Sequence, residues 1–266
     1  MIAKNCFILS AIKTVLAIIG YACYFLSIAV LLILIVPLFL VLLFSSSLFN
    51  ACFQAIFHAY AFFLTRQLLP FLQVYSIVEL SGFENIDLKR SSLYVANHRG
   101  RIDALLLFSI LRNTGALIKS KYAVLPLYKL FIAFLNFVPI GPSSPQALAV
   151  SLEKCKKILN AGKSLLIFPE GSRASSGRLL PFKELAFRLS KDLSLPVVPV
   201  IIHSDYSFMA KRPGSIFPQK KLSFTIRFLG PLFPDKNESI VDFSCRVRGI
   251  MAATLSLLDK GTEWEV

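Results

Sequence analysis

Between Lys13 and Arg66 the chain contains no Asp, Glu, Lys or Arg, an uncharged run of 52 residues whose only imidazole is His58. Such a run suits a bilayer better than water. Val15 to Phe44 is almost unbroken Leu, Ile, Val, Phe and Ala. As one helix it would reach roughly 45 Å at ~1.5 Å per residue, against a hydrocarbon core of about 30 Å. It must tilt or bend. Pro37 is the natural break, because it lacks an N–H and clashes with the preceding turn; the pattern predicts one helix to about Val36 and a second apolar piece running towards Pro70. Lys4 and Lys13 flank the first span, and 27 basic against 15 acidic residues follow from Arg66 onward, so both flanks favour the cytoplasm. A two-helix hairpin or a half-inserted pair satisfies both flanks, whereas a single pass does not. A cleaved signal peptide fits poorly, since its apolar region is only about 7–15 residues and no small-residue cleavage site lies at such a distance.

With 266 residues, 55% of them hydrophobic, and a net charge of +14, the chain is neither disordered nor a polytopic transporter, which would spread apolar spans over its whole length. Cys6, Cys23, Cys52, Cys155 and Cys245 show no pair spacing and three lie in the apolar N-terminal 69 residues, which excludes a disulfide scaffold and points to a reducing compartment. His58, His98 and His203 come without CxxC or HExxH, so no metal ligand set is visible. No helix-turn-helix or aromatic-basic ribonucleoprotein motif accompanies the positive charge, which suits anionic lipids or phosphates and not nucleic acid.

After Pro70 the pattern changes to short apolar runs. Ser92–Ala96 reads as a strand and Ala104–Leu111 as the apolar body of a helix. Leu148, Leu152, Cys155 and Leu159 recur at helical spacing behind Pro145, a first-turn residue after Ser144, with Gly162 as the stop. Ser164–Phe168 is a buried strand, Phe182–Leu189 an amphipathic helix, Leu195–Ile202 another strand and Leu222–Phe228 an alternating one. Ser239–Leu258 is a closing helix with Ile240, Phe243, Val247, Ile250, Thr254 and Leu257 on one side. Strands separated by helices predict an α/β fold, a partly parallel sheet flanked by helices, preceded by an apolar two-helix N-terminal membrane segment. The expected division is residues 1–69 for the membrane-anchoring helices and 70–266 for one α/β domain.

Two loops carry the chemistry. Asn97-His98-Arg99-Gly100-Arg101-Ile102-Asp103 joins the Ser92–Ala96 strand to the following helix. A His at a strand end can present one ring nitrogen to a substrate while an Asp five residues on holds the other, which makes a general base for a hydroxyl that the substrate itself supplies. Phe168-Pro169-Glu170-Gly171-Ser172-Arg173 also follows a buried strand, so both loops are expected at the C-terminal edge of the parallel sheet, where α/β proteins place ligands. Gly171 permits close backbone approach, Arg173 is a forked cation suited to phosphate, and Glu170 is placed to position substrate hydroxyls. Gly162-Lys163-Ser164 imitates the end of a P-loop, but Lys157 stands where glycine is required and a strand, not a helix, follows. Ser172 lacks a nucleophile elbow.

Together these residues resemble the 1-acylglycerol-3-phosphate acyltransferase family. Asn97–Asp103 looks like its NHxxxxD block, Phe168–Arg173 like its FPEGTR block with Ser172 for Thr, Val198–Val200 like its VPV block, and Pro181–Lys183 like its PFK segment with Glu184 in place of the following Gly. The resemblance covers roughly residues 75–230 and departs in the second block, where Phe137–Pro142 lacks the family's Arg. It implies a membrane-bound O-acyltransferase facing the cytoplasm, which moves a fatty acyl group from acyl-coenzyme A or acyl carrier protein to lysophosphatidic acid. Another lysolipid acceptor and a silent lipid-binding protein are the alternatives. By the same resemblance His98 is the base and Asp103 its orienting partner. Glu170, Gly171, Ser172 and Arg173 bind the acceptor, Lys119, Lys121 or Arg101 supplies the phosphate contact in place of the missing Arg, backbone near the Gly171 turn helps hold the oxyanion, and no bound cofactor or metal takes part.

Overall fold

The computed structural model describes residues 15, 18–33, 36, 45–75, 78–141, 145–174, 177–211, 215, 222–262 and 264–265. Pro37 and Ser144, where a helix break and a residue preceding a helix were expected, lie outside the described residues. The chain divides into two compact units. One comprises Met1–Glu79, Gly100–Arg112 and Ser204–Phe224, and the other Leu80–Arg99, Asn113–His203 and Thr225–Val266.

In the first unit, α1 (Ile18–Ile33) is a short apolar helix that exposes Phe25, Leu26 and Ile33. Helix α2 (Ser46–Phe62) begins where the Ser45 hydroxyl accepts the Leu48 N–H at 3.2 Å, satisfying an orphan donor of the first turn. It continues through a π-helical stretch, Phe63–Leu68, and a last turn, Leu69–Phe71. The continuous Ser46–Phe71 helix is 26 residues long and is the one helix among the described residues long and apolar enough to cross a membrane. Phe49, Phe53, Phe57 and Ala61, four residues apart, form its buried stripe. That stripe packs on α3 (Asp103–Phe108), where the Phe57 and Phe108 rings meet edge to face at 5.4 Å and His58 Nδ1 lies 2.8 Å from the Phe108 carbonyl. The Tyr75 hydroxyl donates to the Thr65 carbonyl within the π-helical stretch.

The second unit holds most of a seven-stranded sheet, order β1-β7-β6-β2-β5-β3-β4. The strands are β1 (Val78–Ser81), β2 (Leu93–Ala96), β3 (Thr114–Lys119), β4 (Val138–Ile140), β5 (Ser164–Ile167), β6 (Val197–Ser204) and β7 (Phe224–Phe228). The stretch β6-β2-β5-β3-β4 is parallel throughout, with Leu93 level with Val197 on one side and Leu165 on the other. β2, β5 and β6 are buried along their whole length, as near-continuous apolar runs require of parallel strands covered on both faces. Helices α4 (Pro126–Phe134), α5 (Pro145–Asn160), α6 (Leu185–Leu193) and α7 (Ile240–Leu258) complete the unit. Its core joins Leu93, Val95, Leu165, Ile167 and Ile201 of the sheet to Cys155 and Leu159 of α5, Phe187 and Leu189 of α6, and Phe243, Val247, Met251 and Leu255 of α7. Burial pushes the Cys155 thiol up to about 12, so it packs as a small hydrophobe.

Three expectations shift. α6 starts at Leu185, not Phe182, because Pro181–Lys183 is held by the loop after β5: the Lys183 N–H donates to the Pro169 carbonyl at 2.9 Å. β6 runs two residues beyond Ile202, to Ser204. The closing helix turns a different face inward: Phe243, Val247, Met251 and Leu255 are buried, whereas Ile250 and Leu257 are 37% and 67% exposed. The residue pattern does not announce strands β1, β3 and β4 or helix α4.

Candidate active site

Both loops leave the sheet at the C-terminal ends of parallel neighbours, since β2 and β5 run side by side with Val95 level with Ile167. Asn97 ends β2 as a buried latch. Its Nδ2 donates to the Ile202 carbonyl at 2.8 Å and its Oδ1 accepts the Ile202 N–H at 2.7 Å, replacing the backbone ladder to β6 where β2 runs out. The next side chain, His98, is half-buried, and its imidazole stacks on Phe168 with ring centroids 4.3 Å apart. Its backbone is fixed at both ends: the N–H donates to Glu170 Oε1 at 2.9 Å, and the carbonyl accepts the Ala174 N–H at 2.8 Å. The loop after β5 therefore seats the loop after β2.

Glu170 is the buried centre of this arrangement. Its second oxygen accepts the Leu180 N–H at 2.9 Å, so one carboxylate joins three segments. Burial raises its carboxyl above the ordinary range, and the two backbone N–H groups and the charges of His98 and Arg99 oppose that rise. Each oxygen takes one backbone donor, which fixes the carboxylate in place and ties the loops after β2 and β5 to the Leu180 segment. Gly171 has φ +66°, the left-handed region, and a Cβ there would stand 2.8 Å from Lys183 Cε. Its N–H donates to the Phe168 carbonyl at 3.0 Å, which closes the turn and withdraws that donor from a substrate oxyanion. Ser172 and Arg173 follow, half-buried.

Lys119 ends β3 at the same sheet edge, exposed, and is paired in register with Ile140 of β4. It is thus the cation beside the second block from which the family's Arg is missing. In the first unit, Asp103 opens α3 and is buried; its Oδ2 accepts the Gly100 N–H at 2.8 Å. A Cβ on Gly100 would lie 2.8 Å from the Phe208 carbonyl, so only glycine fits there. Arg101 is exposed, its N–H donating to the Met209 carbonyl at 3.1 Å. Sequence reasoning missed Phe168 as the platform for His98 and Lys183 as the cation over Gly171. It also missed Arg99, whose guanidinium is bound by Asp259, 160 residues away.

The Acyltransferase family model matches residues 77–203, which contain both loops. A putative 1-acyl-sn-glycerol-3-phosphate acyltransferase of Caenorhabditis elegans is 31% identical over 186 residues, 68% of this chain and 69% of that one. The chain belongs to the 1-acylglycerol-3-phosphate acyltransferase family. Within that family, a chloroplastic 1-acyl-sn-glycerol-3-phosphate acyltransferase of Brassica napus is 30% identical over 125 residues, 47% of this chain and 36% of that one. The chain spans about half the length of other plant acyltransferases it matches. The fold is that of the crystal structure of the 1-acyl-sn-glycerophosphate acyltransferase PlsC from Thermotoga maritima. The TM-score is 0.72 at 18% identity, over 94% of this chain and 98% of that one.

Proposed function

We propose that this acyltransferase moves a fatty acyl group from the thioester of coenzyme A or acyl carrier protein to the free hydroxyl of lysophosphatidic acid, giving phosphatidic acid. His98 is the general base and Asp103 the carboxylate that orients it. A ring nitrogen of His98 takes the acceptor's hydroxyl proton as that oxygen attacks the thioester carbonyl carbon. The tetrahedral intermediate collapses, the carbon–sulfur bond breaks, and the leaving thiolate recovers the proton from the imidazolium. An ester and a free thiol result, and no enzyme-bound acyl group forms. The observation that carries the reading is the seat of His98: its ring lies on Phe168 at the sheet edge while its peptide group is held by Glu170 and Ala174. Lys119, beside the second block, is the acceptor's phosphate contact, with Arg101 and Arg173 as further cations; Ser172 and Gly171 line the approach.

The reaction takes place at a membrane whose cytoplasmic face the catalytic domain, residues 70–266, meets, with residues 1–69 as the anchor. The apolar helices Ile18–Ile33 and Ser46–Phe71 support that placement. So does the segment ahead of α4, where Tyr122, Val124 and Leu125 are exposed among Lys119, Lys121 and Lys129.

The test is mass-spectrometric product analysis in mixed micelles, with a panel of lysolipids, both thioester donors, and His98→Ala alongside. Phosphatidic acid formed by the wild type, and reduced at least ~10³-fold in the variant, is expected. The missing second-block Arg favours one other reading, acylation of a different lysolipid, and a His98-dependent product from that acceptor would select it. No product from any pair would instead mark a silent lipid-binding protein.

A further inference from the structure

Arg99, the residue after the proposed base, is 5% exposed and turns its side chain into the protein. Nη1 and Nη2 bond the two oxygens of Asp259 at 2.7 and 2.5 Å, and Nη2 also donates to the Gly177 carbonyl at 2.8 Å. The guanidinium carbon stands 4.6 Å from the ring centroid of Trp264, which is itself buried. His203, near the end of β6, brings Nε2 to 3.4 Å from Asp259 Oδ1. Asp259 caps α7, and the turn after it is knitted by Thr262, whose N–H and hydroxyl both donate to the Asp259 carbonyl.

A buried ion pair is a poor source of stability, because desolvation offsets most of the attraction and a well-packed apolar replacement often does as well. What a bidentate, stacked guanidinium supplies is fixed geometry. Asn97 and Arg99 are both buried and His98 between them is half-buried, so the two anchors hold the backbone on either side of the imidazole. We propose that Asp259 and Trp264 are positioning residues for acyl transfer: through Arg99 they hold the His98 loop in its productive setting. The proposal rests on His98 being the base. Loosening the clamp misplaces that base without altering the surfaces that bind donor or acceptor, so turnover falls and KM does not.

Full-length Asp259→Asn, Asp259→Glu, Trp264→Phe and Trp264→Leu are assayed in mixed micelles at least ~15 °C below each variant's melting midpoint, beside wild type and His98→Ala. Asp259→Asn, which keeps the shape and loses the charge, is expected to lower kcat roughly 10- to 100-fold with both KM values within about twofold of wild type. Asp259→Glu recovers part of that loss. Trp264→Phe, which keeps a ring over the guanidinium, stays near wild type, and Trp264→Leu falls several-fold. Wild-type kcat in Asp259→Asn and Trp264→Leu overturns the proposal. So does a loss that follows only the fraction of folded protein, as a purely structural pair would give. If Asp259→Asn does not fold, the two Trp264 variants decide alone, equal turnover in both counting against it. Failure of the acyl-transfer reading is separate, because wild type would then make no His98-dependent product.

Discussion

Asn97 and Glu170 do the same work by different chemistry, each using one planar side chain to close backbone groups that the ending strands leave open. Asn97→Leu, near in volume but without donors, strands the Ile202 N–H and carbonyl in the sheet, and is expected to lower unfolding free energy by roughly 2–5 kcal/mol in a denaturant titration. Glu170 adds a pH signature. Its raised carboxyl keeps its proton in the folded state to a higher pH than in the unfolded chain. Its contribution to stability is therefore fully present below the ordinary carboxylate value and is lost as pH rises through the raised one. The stability of wild type minus that of Glu170→Gln, followed from about pH 4 to about pH 8, should decline with pH; a difference that grows would refute this. For Lys119, Ala substitution is expected to raise KM for lysophosphatidic acid about tenfold, some 1.4 kcal/mol, and to spare a lysolipid lacking a free phosphate. Equal effects on both acceptors would remove Lys119 from the acceptor site.

Elements were legible where the chain repeats one signal. β2, β5 and β6 are uninterrupted apolar runs, and α5 shows a single stripe behind Pro145, so their type and place follow from the residues. β4 has three residues with Pro139 at its centre, and β3 opens Thr114-Gly115, neither of which reads as strand without its neighbours. α7 carries apolar residues on two overlapping stripes, and only the sheet selects between them. Met251→Ala should therefore cost about 2–5 kcal/mol, while Leu257→Ala, on the stripe that periodicity favoured, should stay within about 0.5 kcal/mol; thermal and denaturant unfolding of the pair measure both. Similar costs at the two positions would mean that the helix is rotated from the orientation described.

Across the whole molecule the charge is uneven: no Asp or Glu lies between Asp103 and Glu153, a stretch that holds Lys119, Lys121 and Lys129 beside exposed Tyr122, Val124 and Leu125. Each lysine near an anionic surface contributes about 1 kcal/mol. The triple Lys→Ser variant is therefore expected to load several-fold more slowly than wild type onto vesicles containing anionic lipid, followed by light scattering at low salt. The difference should vanish near ~1 M salt, where the screening length is about 3 Å; a deficit that survives high salt would speak against electrostatic capture. At this scale the site was legible only in part. His98 and Glu170 sit in short local motifs, but nothing near Arg99 announces a partner 160 residues downstream. That separation also has a temporal side. A ribosome adding about 5–20 residues per second needs roughly 8–32 s to travel from Arg99 to Asp259. Until then the Arg99 guanidinium lacks the counter-charge that its burial requires, so this part of the loop after β2 takes its final seat only once the C-terminal turn has been made.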